Sequence, residues 1–535
     1  MTVTHGALPG LPIADCQRLG VISLALRVLL VVLAASTAEA AASTCDSLRS
    51  VSIPHVTISA AEIVTPAPSA GRGGRGAPAP GPAAGTGRAA APAGPPAPVP
   101  PPLPEYCRVR LMLTPTSDST INAELWLPTS TWNGRFMAVG NGGFGGSIQG
   151  FGEMQNALRL GYATSGNDTG HSEADGPNGM FALGHPEKIV DFAYRAMHEM
   201  TVTSKTLITQ FYGRAQQFSY YKGCSTGGRQ GAMNAQRYPD DFDGIIAGAL
   251  ANRHIQMHTS GVARSIELAR HPEAQISPAT AQLVTQAVLK SCDTLKEGFL
   301  TNPRACTFDF KKLACAAGAE SDACLTGPQL KTVETFYGGL KNSKGELIFS
   351  GQALGNPLPA LRGATNEPGG GYDTVRIWGF QKADYDWHSF DLDRDMPMIN
   401  STVGFVDAVD PDLSKFKAHG GKLLLYAGWG DTTITPENTV LYYDNLTKKM
   451  GPQSDFVRLF MVPGMAHCRG GDGPNTFDSI GAMEAWREKG VTPTQLTGFN
   501  PQTSLTRPIC SYPQYTKYKG SGNIKDAANW TCAAP

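Results

Sequence analysis

Apolar and polar positions follow one another in blocks that are typical of an α/β protein. Short apolar stretches predict strands at residues 123–127, 135–139, 218–222, 423–427 and 457–462. The periodicity of residues 190–212 predicts a helix. The stretch 423–427 contains no polar residue, as expected of a strand buried on both faces of a parallel sheet. Strands that alternate with helices predict a mostly parallel sheet with helices on both faces.

Two regions depart from this pattern. Residues 65–104 are almost entirely Pro, Ala and Gly, with too little apolar side chain to offset the entropy of ordering, which predicts a disordered insertion within a loop. Residues 252–410 hold four cysteines, several Gly/Pro clusters and no clear alternation of strand and helix. They predict a second domain inserted into an α/β core, which itself comprises residues 41–251 and 411–535.

The N-terminal 40 residues have the pattern of a secretory signal peptide. Arg18 precedes an apolar run at 19–35, and Ala38-Glu39-Ala40 fits a small-x-small cleavage site. A membrane anchor is the alternative, but Arg27 interrupts the run before it reaches the ~18–20 residues that span a bilayer. We therefore expect a secreted or periplasmic protein that is not membrane-bound.

The charge and cysteine content limit the kinds of partner and cross-link that we expect of this protein. The 535 residues carry 45 basic and 45 acidic side chains, and a net charge of zero argues against a nucleic-acid partner. Removing the leader with Cys16 leaves ten cysteines, which in an oxidising compartment predicts five disulfides. Metal ligation is disfavoured because no CxxC pair occurs. Three close pairs would close local loops, and counting alone leaves the connectivity open.

The motif Gly223-Cys224-Ser225-Thr226-Gly227 is the strongest local signal. It follows a β-prone run and precedes a helical pattern at residues 230–237, the context of a G-x-S-x-G nucleophile elbow. A sharp turn of this kind presents the serine above the sheet, and glycines let the neighbouring backbone pass closely. The alternative is an ordinary glycine-rich turn between strand and helix. We predict that Ser225 is a nucleophile.

A serine nucleophile needs a base and a carboxylate that orients it. Asp431 and His467 each follow a predicted strand, in the chain order Ser–acid–His of this elbow fold. The other histidines lack this placement and are predicted to be structural or exposed. Cys224 precedes Ser225 and Cys468 follows His467, so a bond between them would tie nucleophile and base together.

These motifs resemble the tannase/feruloyl esterase family, which also includes the bacterial hydrolase of mono(2-hydroxyethyl) terephthalate. Besides the serine motif, the resemblance is carried by residues 238–249 (YPDDFDGIIAGA), 428–431 (GWGD), 462–468 (VPGMAHC) and 510–514 (CSYPQ). It covers the chain from Cys45 to Cys532 apart from the insertion. It implies an α/β-hydrolase core with an inserted lid domain, and a Ser225–His467–Asp431 triad.

The resemblance also implies an oxyanion hole and a disulfide pattern. One oxyanion donor would be the backbone N–H of Thr226, and the second would come from the Gly140–Gly143 loop, with Gly143 favoured over Gly142. A glycine turn without a catalytic role is the alternative. The implied disulfides are Cys45–Cys107, Cys224–Cys468, Cys292–Cys306, Cys315–Cys324 and Cys510–Cys532.

Catalysis by this family needs no cofactor, but its members usually carry a structural calcium loop between the cysteines aligned with Cys292 and Cys306. Here that loop is about three residues shorter. Asp293, Glu297 and the carbonyls of Leu295 and Phe299 are the candidate ligands. Lys296 places a repelling charge among them.

The predicted activity is hydrolysis of a small aromatic ester. Galloyl, feruloyl and terephthaloyl esters are not separated by the sequence. The aromatic segment 378–390, with Tyr372 and Phe336, would cover the acyl group. Arg376 or Arg362 would bind a substrate carboxylate; the alternative is that each is a structural or surface arginine. An exported peptidase is the alternative. A catalytically inactive binding module is disfavoured because the triad is complete, and nothing indicates an oligomeric state.

Overall fold

The computed structural model describes residues 44–66, 100–317, 322–369, 371–452 and 455–535. The predicted signal peptide and most of the Pro/Ala/Gly insertion lie outside these residues. The described residues form one compact unit. Among the described helices, none is long and apolar enough to cross a membrane.

The strands are β1 Val56–Val64, β2 Tyr106–Leu113, β3 Ile121–Pro128, β4 Arg135–Val139, β5 Ala163–Asn167, β6 Phe218–Cys224, β7 Gly244–Gly248, β8 Leu340–Lys341, β9 Leu347–Phe349, β10 Lys422–Gly428, β11 Val457–Val462, β12 Gln495–Asn500, β13 Leu505–Cys510, β14 Tyr515–Tyr518 and β15 Trp530–Ala533. Nine of them form the central sheet, in the order β1-β2-β3-β5-β4-β6-β7-β10-β11. From β5 to β11 neighbouring strands are parallel, whereas β1, β2 and β3 pair antiparallel at one edge. The sheet is therefore mostly parallel, as predicted.

The α-helices are α1 Phe151–Arg159, α2 Pro186–Val190, α3 Ala196–Tyr212, α4 Thr226–Arg237, α5 His254–Arg270, α6 Pro278–Cys292, α7 Gly327–Gly338, α8 Leu392–Val403, α9 Ser414–Ala418, α10 Pro436–Met450 and α11 Ser479–Lys489. Asp191–Arg195 and Thr374–Gly379 are π-helical. Two hydrophobic clusters cover the sheet, one containing side chains of α3, α4 and α10 and the other side chains of α1 and α11. Helices thus lie on both faces of the sheet.

The parallel strands bring their carboxyl ends to one edge of the sheet. The fully apolar run of β10 lies between β7 and β11, and every residue of β10 after Lys422 is buried. The segments that follow β4, β6, β10 and β11 therefore meet at this edge, which is where open α/β sheets bind their ligands.

The chain between β7 and β10 holds α5 to α9 and the short hairpin of β8 and β9. One hydrophobic cluster lies within this region, with Val284 and Val288 at its centre. A second cluster joins the region to the core, because Trp378 packs with Phe181 and Phe192. The division into a lid at residues 252–410 and a core remains a prediction.

Candidate active site

Ser225 lies on the sharp turn between β6 and α4. Its backbone has φ 66° and ψ −122°, a conformation that costs strain for a residue with a Cβ atom. A Cβ atom at Gly223 would lie 2.7 Å from the backbone of Gly227, and one at Gly228 would lie 2.2 Å from the carbonyl oxygen of Gly248. The Ser225 N–H donates to that same oxygen at 3.0 Å. Only glycines therefore allow the close approach that holds Ser225 above the sheet.

His467 and Asp431 are joined by a hydrogen bond between the loops that follow β11 and β10. His467 Nδ1 lies 2.8 Å from Asp431 Oδ2. Asp431 is fully buried, and its Oδ1 accepts the backbone N–H groups of Thr433 and Ile434 at 2.8 and 2.9 Å. The carboxylate is thus fixed by three donors, and it engages Nδ1 of the imidazole rather than Nε2.

Ser225 and His467 line the same cavity. It has a volume of about 670 Å³, and the loop of Gly140 to Gly143 forms another part of its wall. The wall also contains Tyr426 and Phe477, whose rings meet edge to face with centroids 5.3 Å apart. The structure therefore brings together every residue of the predicted triad and oxyanion loop, with Asp431 behind His467.

A disulfide ties the two loops of this site together. Cys224 and Cys468 are bonded, with their Cα atoms 5.9 Å apart, so the residue before Ser225 is linked to the residue after His467. Cys468 itself has φ 62°, which is unfavourable for a non-glycine residue. The other four disulfides are also those that the resemblance implies: Cys45–Cys107, Cys292–Cys306, Cys315–Cys324 and Cys510–Cys532.

The two glycines of the oxyanion loop differ in their hydrogen bonds. The Gly142 N–H donates to Gln149 Oε1 at 2.7 Å. The Gly143 N–H has no acceptor among the described residues, and the Gly143 carbonyl accepts the hydroxyl of Thr226 at 2.6 Å. Thr226 is also the first residue of α4, where backbone N–H groups lack helical partners. Gln149, which the sequence analysis did not identify, thus occupies the N–H of Gly142 and leaves that of Gly143 without an acceptor among the described residues.

Residues of the predicted lid contact this site from two different segments, at Asn356 and at Trp378. Asn356 donates to the carbonyl oxygen of Asp431 at 3.2 Å. Phe144, directly after Gly143, meets the buried ring of Trp378 edge to face, with centroids 5.6 Å apart. His254 is buried and stacks on Trp378, and it does not line the Ser225 cavity.

The predicted calcium ligands do not fit a cation. Both carboxylate oxygens of Glu297 accept hydrogen bonds from Arg507, at 2.7 and 3.2 Å, and both side chains are buried. Asp293 accepts the N–H groups of Glu297 and Gly298. The structure finds no group of three or more His, Cys, Asp or Glu side chains suited to a metal in the part of the chain it describes. The guanidinium of Arg507 therefore takes both carboxylate oxygens of Glu297 that a calcium ion would need.

The predicted carboxylate-binding arginines are elsewhere. Arg376 forms ion pairs with Asp373 at 2.8 Å and Glu367 at 2.9 Å, so its charge is already balanced. Arg362 is exposed and does not line the Ser225 cavity.

Comparison with known proteins assigns the chain to a family. A family model described as "Tannase and feruloyl esterase" matches residues 107–533. An uncharacterized esterase of Xanthomonas campestris pv. campestris is 33% identical, over 96% of this chain and 95% of its own. A probable feruloyl esterase B-2 of Neosartorya fischeri is 34% identical, over 80% and 86% respectively.

The fold agrees with this assignment. The crystal structure of feruloyl esterase B from Aspergillus oryzae superposes with a TM-score of 0.78 at 30% identity, covering 91% of this chain and 99% of that one. This likeness confirms the predicted α/β-hydrolase fold. The chain belongs to the tannase and feruloyl esterase family of carboxylic ester hydrolases.

Proposed function

We propose that the chain is an exported serine esterase that cleaves small aromatic esters through an acyl-enzyme. The observation that carries this proposal is the hydrogen bond of 2.8 Å between His467 and the buried Asp431, in a site where Ser225 and His467 line one cavity. The aromatic acyl group is inferred from relatives named feruloyl esterase. Five disulfides support an oxidising compartment.

In the proposed acylation step, His467 Nε2 takes the proton of Ser225 as Oγ attacks the ester carbonyl carbon. Asp431 holds the imidazole in the required tautomer and stabilises the imidazolium that forms. The carbonyl oxygen becomes an oxyanion that accepts hydrogen bonds from the N–H groups of Thr226 and Gly143. Each such donor typically contributes about 2.7–4 kcal/mol to the transition state.

Gly143 is the better second donor because its N–H is uncommitted among the described residues, whereas that of Gly142 already bonds Gln149. The N-terminus of α4 adds a partial positive charge next to Ser225. Collapse of the intermediate breaks the ester C–O bond, and the imidazolium protonates the departing alcohol. Water then attacks the acyl-enzyme with His467 as base, which releases the acid and restores Ser225.

The test compares methyl ferulate, methyl gallate and mono(2-hydroxyethyl) terephthalate as substrates of the wild type and of Ser225→Ala. We expect at least one ester to be cleaved and Ser225→Ala to be inactive. Ser479→Ala is the matched control, because Ser479 lines the same cavity and undergoes the same chemical change. Residual activity of Ser225→Ala within tenfold of the wild type would refute the nucleophile, and faster cleavage of matched amides would refute the esterase.

A further inference from the structure

A second and larger cavity, of about 1140 Å³, lies apart from the Ser225 cavity. It is enclosed by α5, α6, α7, the segment after β9 and the residues that follow Asp431. No described residue lines both cavities. Apolar side chains such as Met257, Phe336 and Phe349 share its wall with hydroxyl and amide groups, including those of Ser260 and Gln282.

Arg264 is the only charged residue in the lining of this cavity. It shares one face of α5 with Met257 and Ser260, which precede it by seven and four residues. Its guanidinium forms no hydrogen bond or ion pair with the residues that the structure describes. The nearest acidic side chain along the helix, Glu267, lies 3.7 Å from His271 instead.

The electrostatic environment of Arg264 is that of an unbalanced cation. The side chain is exposed, and its neighbours displace enough water to lower the pKa of the guanidinium from its ordinary value. Arg376 and Arg507 in the same protein each face carboxylates. The exposed guanidinium of Arg264 therefore has its N–H donors available at the wall of the cavity, where the carboxylate of a ligand can accept them in a bidentate pair.

We propose that this cavity binds an aromatic carboxylate, with its carboxylate on Arg264 and its ring among Met257, Phe336 and Phe349. Such a ligand matches both the single positive charge and the apolar part of the wall. The hydroxyl and amide groups of the wall can bond ring substituents. Binding to this cavity does not depend on the proposed function. The proposed function explains only why such acids would be present, since ester hydrolysis releases them.

The ligand would lie against the loop that holds the catalytic acid. Thr432 and Thr433 line the cavity, and the Thr433 N–H is one of the donors to Asp431. From the opposite wall, Gln352 Nε2 approaches the Thr432 carbonyl oxygen at 3.4 Å. A bound acid therefore contacts the segment that orients His467 through Asp431, so occupancy of the cavity should alter turnover.

The direct test is calorimetric titration of Ser225→Ala protein with ferulate and terephthalate, the free acids that hydrolysis of the corresponding esters would release. We expect saturable binding that Arg264→Gln weakens at least tenfold, whereas Arg264→Lys retains part of it. Lys331→Gln, an exposed residue of α7 outside the lining, controls for the lost charge. Absence of binding, or equal binding to the Arg264→Gln and control proteins, would overturn the proposal.

Kinetics then test the effect of the bound acid on turnover. Added ferulate should inhibit the wild type with either methyl ferulate or mono(2-hydroxyethyl) terephthalate as substrate, and Arg264→Gln should need at least tenfold more ferulate for the same inhibition. An Arg264→Gln variant as sensitive to added ferulate as the wild type would overturn the proposal. Loss of the proposed function would instead appear as an active Ser225→Ala enzyme.

Discussion

Opening the Cys224–Cys468 disulfide should remove both stability and activity. The bond closes a loop with a sequence separation of 244 residues. Restricting such a loop in the unfolded chain corresponds to about 5 kcal/mol at 25 °C in the chain-entropy model. The double variant Cys224→Ser/Cys468→Ser should therefore lose up to that amount of unfolding free energy.

The same variant should lose turnover because His467 is no longer fixed beside Ser225. A misplacement of about 1 Å in a catalytic group can cost roughly 100-fold in rate, and we expect kcat to fall by that order. KM should change less, because the disulfide is at the catalytic groups rather than throughout the pocket. Chemical denaturation and steady-state hydrolysis of methyl ferulate measure the two effects.

The matched control is Cys315→Ser/Cys324→Ser, which removes a disulfide with a separation of nine residues, outside the linings of both cavities. The same model gives about 2.5 kcal/mol for that loop. We expect this control to lose stability and keep its kcat. If the first variant keeps kcat within twofold of the wild type, the disulfide does not position His467. If it loses no more stability than the control, the loop-entropy argument fails.

Three further outcomes are expected. Asp431→Asn should lower kcat roughly 10³–10⁴-fold without unfolding the protein, because the imidazole of His467 loses its tautomer partner; a loss below tenfold would contradict this role. Burial lowers the pKa of His171 to about 4, so the unfolded chain binds the extra proton as pH falls from about 6.5 to 4. Over that range the wild type should lose about 3 kcal/mol more of its free energy of unfolding than His171→Gln does, as measured by chemical denaturation at each pH. The same dependence of unfolding free energy on pH in both proteins would refute this prediction. EDTA should leave the melting temperature unchanged, and a melting temperature that EDTA lowers and calcium restores would contradict the absence of a calcium site. Arg507→Met should lower the free energy of unfolding by about 3–5 kcal/mol, because it leaves Glu297 buried without its partner.

The pattern of apolar and polar residues was sufficient to predict much of the central sheet. The predicted strands at 135–139 and 457–462 coincide with β4 and β11. β5 was missed because Ala-Thr-Ser-Gly-Asn looks polar, although all five residues are buried. The Asn167 side chain accepts the Thr169 N–H and donates to the Ala196 carbonyl oxygen, so tertiary contacts satisfy polar groups that pattern alone assigns to the surface.

The sequence by itself determined the chain order of the predicted triad and the turn that carries Ser225. Both are local, because glycine spacing and the end of a buried strand are properties of neighbouring residues. Tertiary structure decided which charges are balanced. Glu297 is paired with Arg507, 210 residues along the chain, whereas Arg264 lines a cavity whose described lining residues include no carboxylate. Charge pairing depends on distances in space, and no periodicity along the chain encodes them.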